Sequence, residues 1–371
     1  MRTRDLGIEI GLLPTGELNA ITDVPGVRVG HATLIDGEGP LVVGRGPVRT
    51  GVTVILPHDG DIGSEPVFAG THTLNGNGEL TGLDWVREAG LLTTPIGLTN
   101  THSVGVVRDA LVTASVRGAP PDRPRWALPV VGETWDVYLN DIVGQHVTAE
   151  HVMVALAAAS DGPVPEGCVG AGTGTKAFGF KAGIGTASRV VTAESGGFTV
   201  GALVQANHGA RRRLAVDGVP VGRELADVLP PERPDVLDGG SIIVVVATDA
   251  PLLPHQCRRL AQRASLGIAR SGGGGEHSSG DMVIAFATGN RGLRPEEATD
   301  APPTTGVTMV NDHYIDELFW ATAEATEEAI VNSLVAARTM TGRDGYTFHA
   351  LPHDRLAEVM DRYGRLRRPA G

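Results

Sequence analysis

Apolar positions recur along the chain in two rhythms. A short β-branched run at 52–56 predicts a strand. Further on, Val104, Val107 and Leu111 share one face of a helix with Ser103 at its cap. Thr148 stands where an N-cap would precede a helix carrying Val152, Leu156 and Ala159. Residues 198–205 alternate, with Phe198, Val200, Ala202 and Val204 on one side, as a half-buried strand does. Strands and helices therefore interleave throughout.

The last third carries the clearest pattern. Ser241–Thr248 is almost wholly Ile and Val, which predicts a strand buried on both faces. Pro254 suits the first turn of a helix whose stripe is Cys257, Leu260, Ala261, Ala264 and Ile268. A glycine-rich loop at 272–275 precedes another apolar strand at 282–286. A last long helix is expected over 315–338, with Leu318, Thr322, Ala325 and Ala329 inward. Upstream, the stretch 210–240 is rich in Pro, Asp, Glu and Arg and reads as an exposed connector that ends directly on the buried strand.

Composition narrows the function. The 371 residues are 41% hydrophobic, enough for a large core, while 51 glycines predict many turns and close backbone contacts. A formal charge of -12 has the wrong sign for a nucleic-acid partner, and Arg211-Arg212-Arg213 is too short a run to reverse it, reading as a solvated turn. Cys168 and Cys257 offer neither a disulfide framework nor metal-ligand spacing and read as reduced core thiols. Residues 1–13 carry Asp5 and Glu9 within their apolar stretch, unlike a signal peptide, and no run approaches the roughly 20 apolar residues of a spanning helix. A cytoplasmic location without membrane partners is the expectation.

Several chemical motifs fall short. Gly170-Ala-Gly-Thr-Gly-Thr-Lys176 has phosphate-loop composition, but no glycine immediately precedes Lys176 and no Ser or Thr follows it, so it reads as a tight glycine turn feeding a strand. His31, His58, His72, His102 and His208 stand singly among turn residues, without metal-ligand spacing, and read as hydrogen-bonded loop residues. No metal or cofactor is expected, and no G-x-S-x-G elbow is present.

What stands out is Asp238-Gly239-Gly240-Ser241, where the polar connector meets the buried strand. Together with 19–31, Thr99-Asn-Thr-His-Ser-Val-Gly105 and 167–176, this junction resembles the family of L-aminopeptidase/D-amidase/D-esterase enzymes and β-aminopeptidases across nearly the whole chain. The resemblance implies one αββα domain, a four-layer sandwich of the α/β class similar to N-terminal-nucleophile hydrolases but differently connected. It implies self-processing into 1–240 and 241–371, with Ser241 as nucleophile after Gly240, and a tetramer of such processed heterodimers. Carried over residue by residue, Tyr138 matches the Tyr of E-T-x-D-x-Y-L-N-D and Asn207 the Asn of A-N-x-G. Ser279 and Asp281 match the Ser and acid after the glycine loop, although Asp281 stands where some members carry Glu.

The residues also make chemical sense on their own. Attack of Ser241 Oγ on the Gly240 carbonyl would form an ester as the Gly240–Ser241 C–N bond breaks, and water would then release the new N-terminus, whose α-amine, of pKa about 7.7 to 8.0, is able to serve as base, with a Ser279–Asp281 relay as the alternative. Asn207 and Tyr138 supply neutral donors for an oxyanion. Glu133 is a candidate grip for the ammonium of a small peptide or amide, with a plain surface acid as the alternative. Two other functions fit less well: an acyltransferase like ornithine acetyltransferases, which use an N-terminal Thr, and an uncleaved binding protein.

Overall fold

The computed structural model describes residues 1–117, 125–228, 240–295, 298 and 301–367. Two sheets stack face to face. The six-stranded one runs in the order β4-β3-β12-β11-β10-β9, built from β3 (Val67–Gly76), β4 (Leu91–Leu92), β9 (Ile184–Val190), β10 (Thr199–Asn207), β11 (Ser241–Thr248) and β12 (Gly280–Ala287). The four-stranded one runs β1-β2-β5-β6, from β1 (Arg28–Asp36), β2 (Val48–Leu56), β5 (Ile96–Asn100) and β6 (Val130–Thr134). A short ribbon, β7 (Lys176–Ala177) with β8 (Phe180–Lys181), lies between β6 and β9 in the chain.

Burial explains the layers. Along β11, Ile242, Val244 and Val246 face α5 (Pro254–Ser271) and α6 (Ile315–Val335), while Ile243, Val245 and Ala247 face the second sheet. Each of these Ile and Val side chains contributes about 1.5–3 kcal/mol when fully buried. On the far side, Val52, Val54 and Val131 pack against Val104, Val107 and Leu111 of α2 (Val104–Val116) and Val152 of α3 (Ala149–Ala157). The result is the αββα sandwich. Helix α5 is the crossover that makes β11 and β12 parallel, so both strands begin at one edge.

Several sequence expectations change. Residues 200–207 of β10 are buried on both faces rather than half-buried, because sandwich layers cover both sides. Helix α6 ends at Val335 and is buried all round from Ala321 onward, so the expected stripe was only part of its packed surface. Its carboxylates are held by charge: Arg189, fully buried on β9, reaches Glu328 at 2.6 Å and Glu324 at 3.2 Å. Ser103 sits at the start of α2 but caps nothing; the preceding turn is closed instead by Asn100, whose side chain accepts from the His102 N–H at 3.0 Å.

The expected connector is half folded. Leu214, Val216, Val219, Val221 and Leu225 are buried in the helix-side core, and 229–239 lies outside the described residues. The histidines are not uniform either. His31 and His72 are on strands, His58 is a hydrogen-bonded turn residue, and His208 is buried with neither ring nitrogen bonded. Both cysteines are buried and free, and no described helix is long and apolar enough to cross a membrane.

Candidate active site

Three strand ends meet at one edge of the six-stranded sheet. Ser241 opens β11, opposite Asn207 at the end of β10 and Gly280 at the start of β12. The ends of β5 and β6 from the second sheet approach the same edge, and Gln205 fastens them: its Nε2 lies 2.9 Å from Thr99 O and 2.8 Å from Thr134 Oγ1. Because Ser241 is the first residue of a strand hydrogen-bonded on both sides, its hydroxyl is held where the sheet opens into a cavity. That cavity is about 510 Å³ and includes Ser241, Gly240, Asn207, Tyr138, Glu133 and Lys176 in its lining.

The junction is shaped for glycine. Gly240 has φ +137°, and a Cβ there would collide with the Asn207 carbonyl oxygen. Its own carbonyl accepts the Gly280 N–H at 3.2 Å, and the same N–H lies 3.3 Å from Ser241 Oγ. One backbone donor therefore addresses both the Gly240 carbonyl and the neighbouring hydroxyl. The Asn207 amide is locked on both sides, Oδ1 accepting the Lys176 N–H at 3.0 Å and Nδ2 donating to Trp135 O at 3.0 Å. The second hydrogen of Nδ2 is left over for another acceptor.

Glu133 is not a surface acid. It is buried at the end of β6, accepts the Glu79 N–H at 2.9 Å and the Thr101 hydroxyl, and burial pushes its carboxyl above the ordinary range. A buried carboxylate of this kind gains from an incoming cation. Asp281 is a strand residue, since β12 begins at Gly280, two residues earlier than the apolar run suggested, and Ser279 immediately precedes that strand. Both are buried, and Ser279 Oγ donates to Asp281 Oδ1 at 2.6 Å. Burial raises the Asp281 carboxyl to about 6, with the Ser279 hydroxyl opposing and Glu276 reinforcing the rise. This pair lies behind the cavity wall, which at that point is formed by Ser278.

Sequence reasoning missed Lys176, Thr101 and Trp135, all of which line the cavity. A lysine closing a run of small residues was a usable signal for Lys176, since a long cation in a buried glycine turn has few other destinations. Among the described residues no group of His, Cys, Asp or Glu is arranged to hold a metal. The arrangement presents a hydroxyl, backbone and amide donors beside it, a buried carboxylate on the same cavity, and a hydroxyl–carboxylate pair next to it: the parts needed for acyl transfer from an amine-bearing substrate.

Comparison with known proteins agrees. The model of Peptidase family S58 matches residues 19–348. A β-peptidyl aminopeptidase of Sphingosinicella microcystinivorans is 50% identical over 380 residues, spanning 98% of this chain and 93% of that protein. The structure of a Burkholderia sp. β-aminopeptidase aligns with a TM-score of 0.92 at 58% identity, over 100% of both chains. That of the L-aminopeptidase D-Ala-esterase/amidase of Ochrobactrum anthropi, a prototype for the serine aminopeptidases and a variant among the Ntn hydrolase fold, gives 0.91 at 46% identity over 99% of both. On the family match and on these identities, the chain belongs to peptidase family S58.

Proposed function

We propose that this peptidase is an aminopeptidase and amidase that first cuts its own Gly240–Ser241 bond and then uses Ser241, as a new N-terminus, against small peptides, amides or esters. The observation that carries the reading is the convergence of Ser241, Asn207 and Glu133 on one cavity beside a glycine that admits no side chain. In the uncut chain the Ser241 nitrogen is an amide and cannot act as a base. Cutting converts it to an amine, so the first reaction prepares the second. Gly280 N–H and the spare Asn207 hydrogen stabilise the oxyanion, with Tyr138 on the same wall, and Glu133 receives the substrate ammonium. Intact mass under denaturing conditions should reveal fragments ending at Gly240 and starting at Ser241, and a wild-type chain that stays whole after long incubation rejects the proposal.

Specificity follows from Glu133. An amino-acid p-nitroanilide should be cleaved well and its N-acetyl form poorly, because the blocked substrate leaves a buried carboxylate without its cation, a loss of about 3–5 kcal/mol if the pairing is complete. Glu133→Gln should narrow the difference between the two substrates. Equal rates on both in the wild type would instead indicate an amidase indifferent to the amine.

Ser279 is proposed to pass a proton to or from Ser241, polarised by Asp281. Ser279→Ala, assayed on material confirmed to be cut, should lower kcat by about a hundredfold or more with little change in KM. Asp281 adds a pH signature. With its carboxyl raised to about 6, the wild-type kcat should fall as pH drops through that value, where the acid gains a proton and the Ser279 hydroxyl loses its ionised acceptor. Loss of that limb in Ser279→Ala separates a proton-relay role from a packing role. A cut variant with wild-type kcat removes Ser279 and leaves the α-amine as base.

A further inference from the structure

The run Arg211-Arg212-Arg213 divides into two kinds of residue. Arg211 is structural: its guanidinium donates to the carbonyls of Val228 at 2.7 Å and Gly179 at 2.6 Å and stacks 3.4 Å above the Phe180 ring. Arg212 and Arg213 are exposed, and together with Arg223 of α4 (Val221–Glu224) they border a depression of about 640 Å³. Among the described residues none of these three side chains has an ion pair or hydrogen bond. Among the described residues the sole acid on the lining is Glu276.

The walls of this depression are fixed in place. Gly272, at φ +103°, lies so close to the Arg213 carbonyl that a Cβ would collide with it. Ala215 N–H donates to Ser271 O at 3.0 Å, and Gly222 N–H to Leu214 O at 2.9 Å, tying the arginine turn to the end of α5 and to α4. The last carbonyls of α5 would repel an anion, but Ala269 O and Ile268 O are already taken by the N–H groups of Gly272 and Gly273 at 3.0 and 2.9 Å. The Gly274 N–H, also on the lining, has no acceptor among the described residues.

In a chain of formal charge -12, three guanidinium groups with no ion pair among the described residues around one concavity concentrate positive potential where it is otherwise scarce. Guanidinium groups pair with phosphate oxygens through parallel N–H bonds. The groups come from two elements, so the ligand that satisfies them carries more than one anionic centre. We propose that this depression is a binding site for a small multivalent oxyanion of the pyrophosphate class, held by Arg212, Arg213 and Arg223. The site is separate from the Ser241 cavity, but the same loop serves both: residues 272–274 line the one and Ser278 the other.

Isothermal titration of the purified protein with inorganic pyrophosphate tests the assignment, with sodium chloride at equal ionic strength as control. Saturable binding is expected in the wild type. Arg212→Gln, Arg213→Gln and Arg223→Gln, read separately, should each weaken it by about tenfold, the effect of one lost charge-assisted bond. Peptide hydrolysis without pyrophosphate should be unchanged in all three, which also verifies folding. Heats no larger than the chloride control, or affinity that survives loss of each arginine, would overturn the site.

Discussion

Ser241→Ala protein is expected to remain one chain of 371 residues and to show no measurable hydrolysis of an amino-acid p-nitroanilide. The substitution removes a single oxygen from the first residue of β11. The backbone pairing of that residue with Asn207 and Gly280 does not involve the hydroxyl, and the remaining positions of β11 are buried on both sides. Folding should therefore survive, and what is lost reports chemistry. On the proposed mechanism both reactions fail together, because both use the same oxygen, first against the Gly240 carbonyl and later against the substrate. Removing a nucleophilic serine of this kind costs about six orders of magnitude in kcat. Intact mass and a turnover assay on the same sample decide the matter: a cut at 240/241 in the alanine variant, or hydrolysis near the wild-type rate, would remove Ser241 from both steps.

The second large effect lies in the helix-side core. Arg189 is completely buried and bonds Glu328 at 2.6 Å, Glu324 at 3.2 Å, and the carbonyls of Ser188 and Ile10 at 2.6 and 2.5 Å. Arg189→Met should destabilise the protein by about 3–5 kcal/mol at pH 8, because two buried carboxylates lose the cation that compensates their desolvation. Arg4, at 2.9 Å from Glu328, replaces only part of it. The sign of the pH effect is fixed. Burial pushes the Glu328 carboxyl up, but Arg189 and Arg4 outweigh it and hold the group below the usual carboxylate range. Its contribution is thus present above the unfolded pKa and is lost as pH falls through the lower folded value. In the methionine variant that carboxyl rises, so acid relieves the uncompensated charge and the deficit should be smaller at pH 5 than at pH 8. Urea denaturation at the two pH values measures this, and a deficit under about 1 kcal/mol at pH 8 would mean that the cluster carries no more than a surface pair.

The parts of the fold that were legible are those with one dominant signal. Strand β11 and helix α5 could be read because a run of Ile and Val and a proline-started stripe each admit one element type. Strand β12 was legible only from Met282, since Gly280 and Asp281 look like loop until pairing with Ser241 and Ile242 draws them into the sheet. The same non-local pairing hid the burial of Ser279 and Asp281. Glu133 could not be separated from a surface acid because its burial comes from Thr101 and Glu79, brought to it from distant parts of the chain, and no local pattern encodes those approaches. The folding of 210–228 was missed because composition outweighed the spaced Leu214, Val216, Val219, Val221 and Leu225. The junction itself was readable, as polar chain giving way abruptly to buried strand at a glycine.

The strand order of the larger sheet bears on how the protein is made. Strands β3 and β4 lie on one side of β11 and β12, and β9 and β10 lie on the other, so the middle of the sheet is supplied by the last third of the chain. A ribosome that has finished residue 240 has released two strand pairs whose facing edges have nothing between them. Unpaired edges of this kind are templates for aggregation. At about 5–20 residues per second, the missing centre, complete at Ala287, takes roughly 2 to 9 seconds to arrive. Until then the nascent chain cannot close its sheet, and the edges of β3 and β10 that will flank the centre stay unpaired.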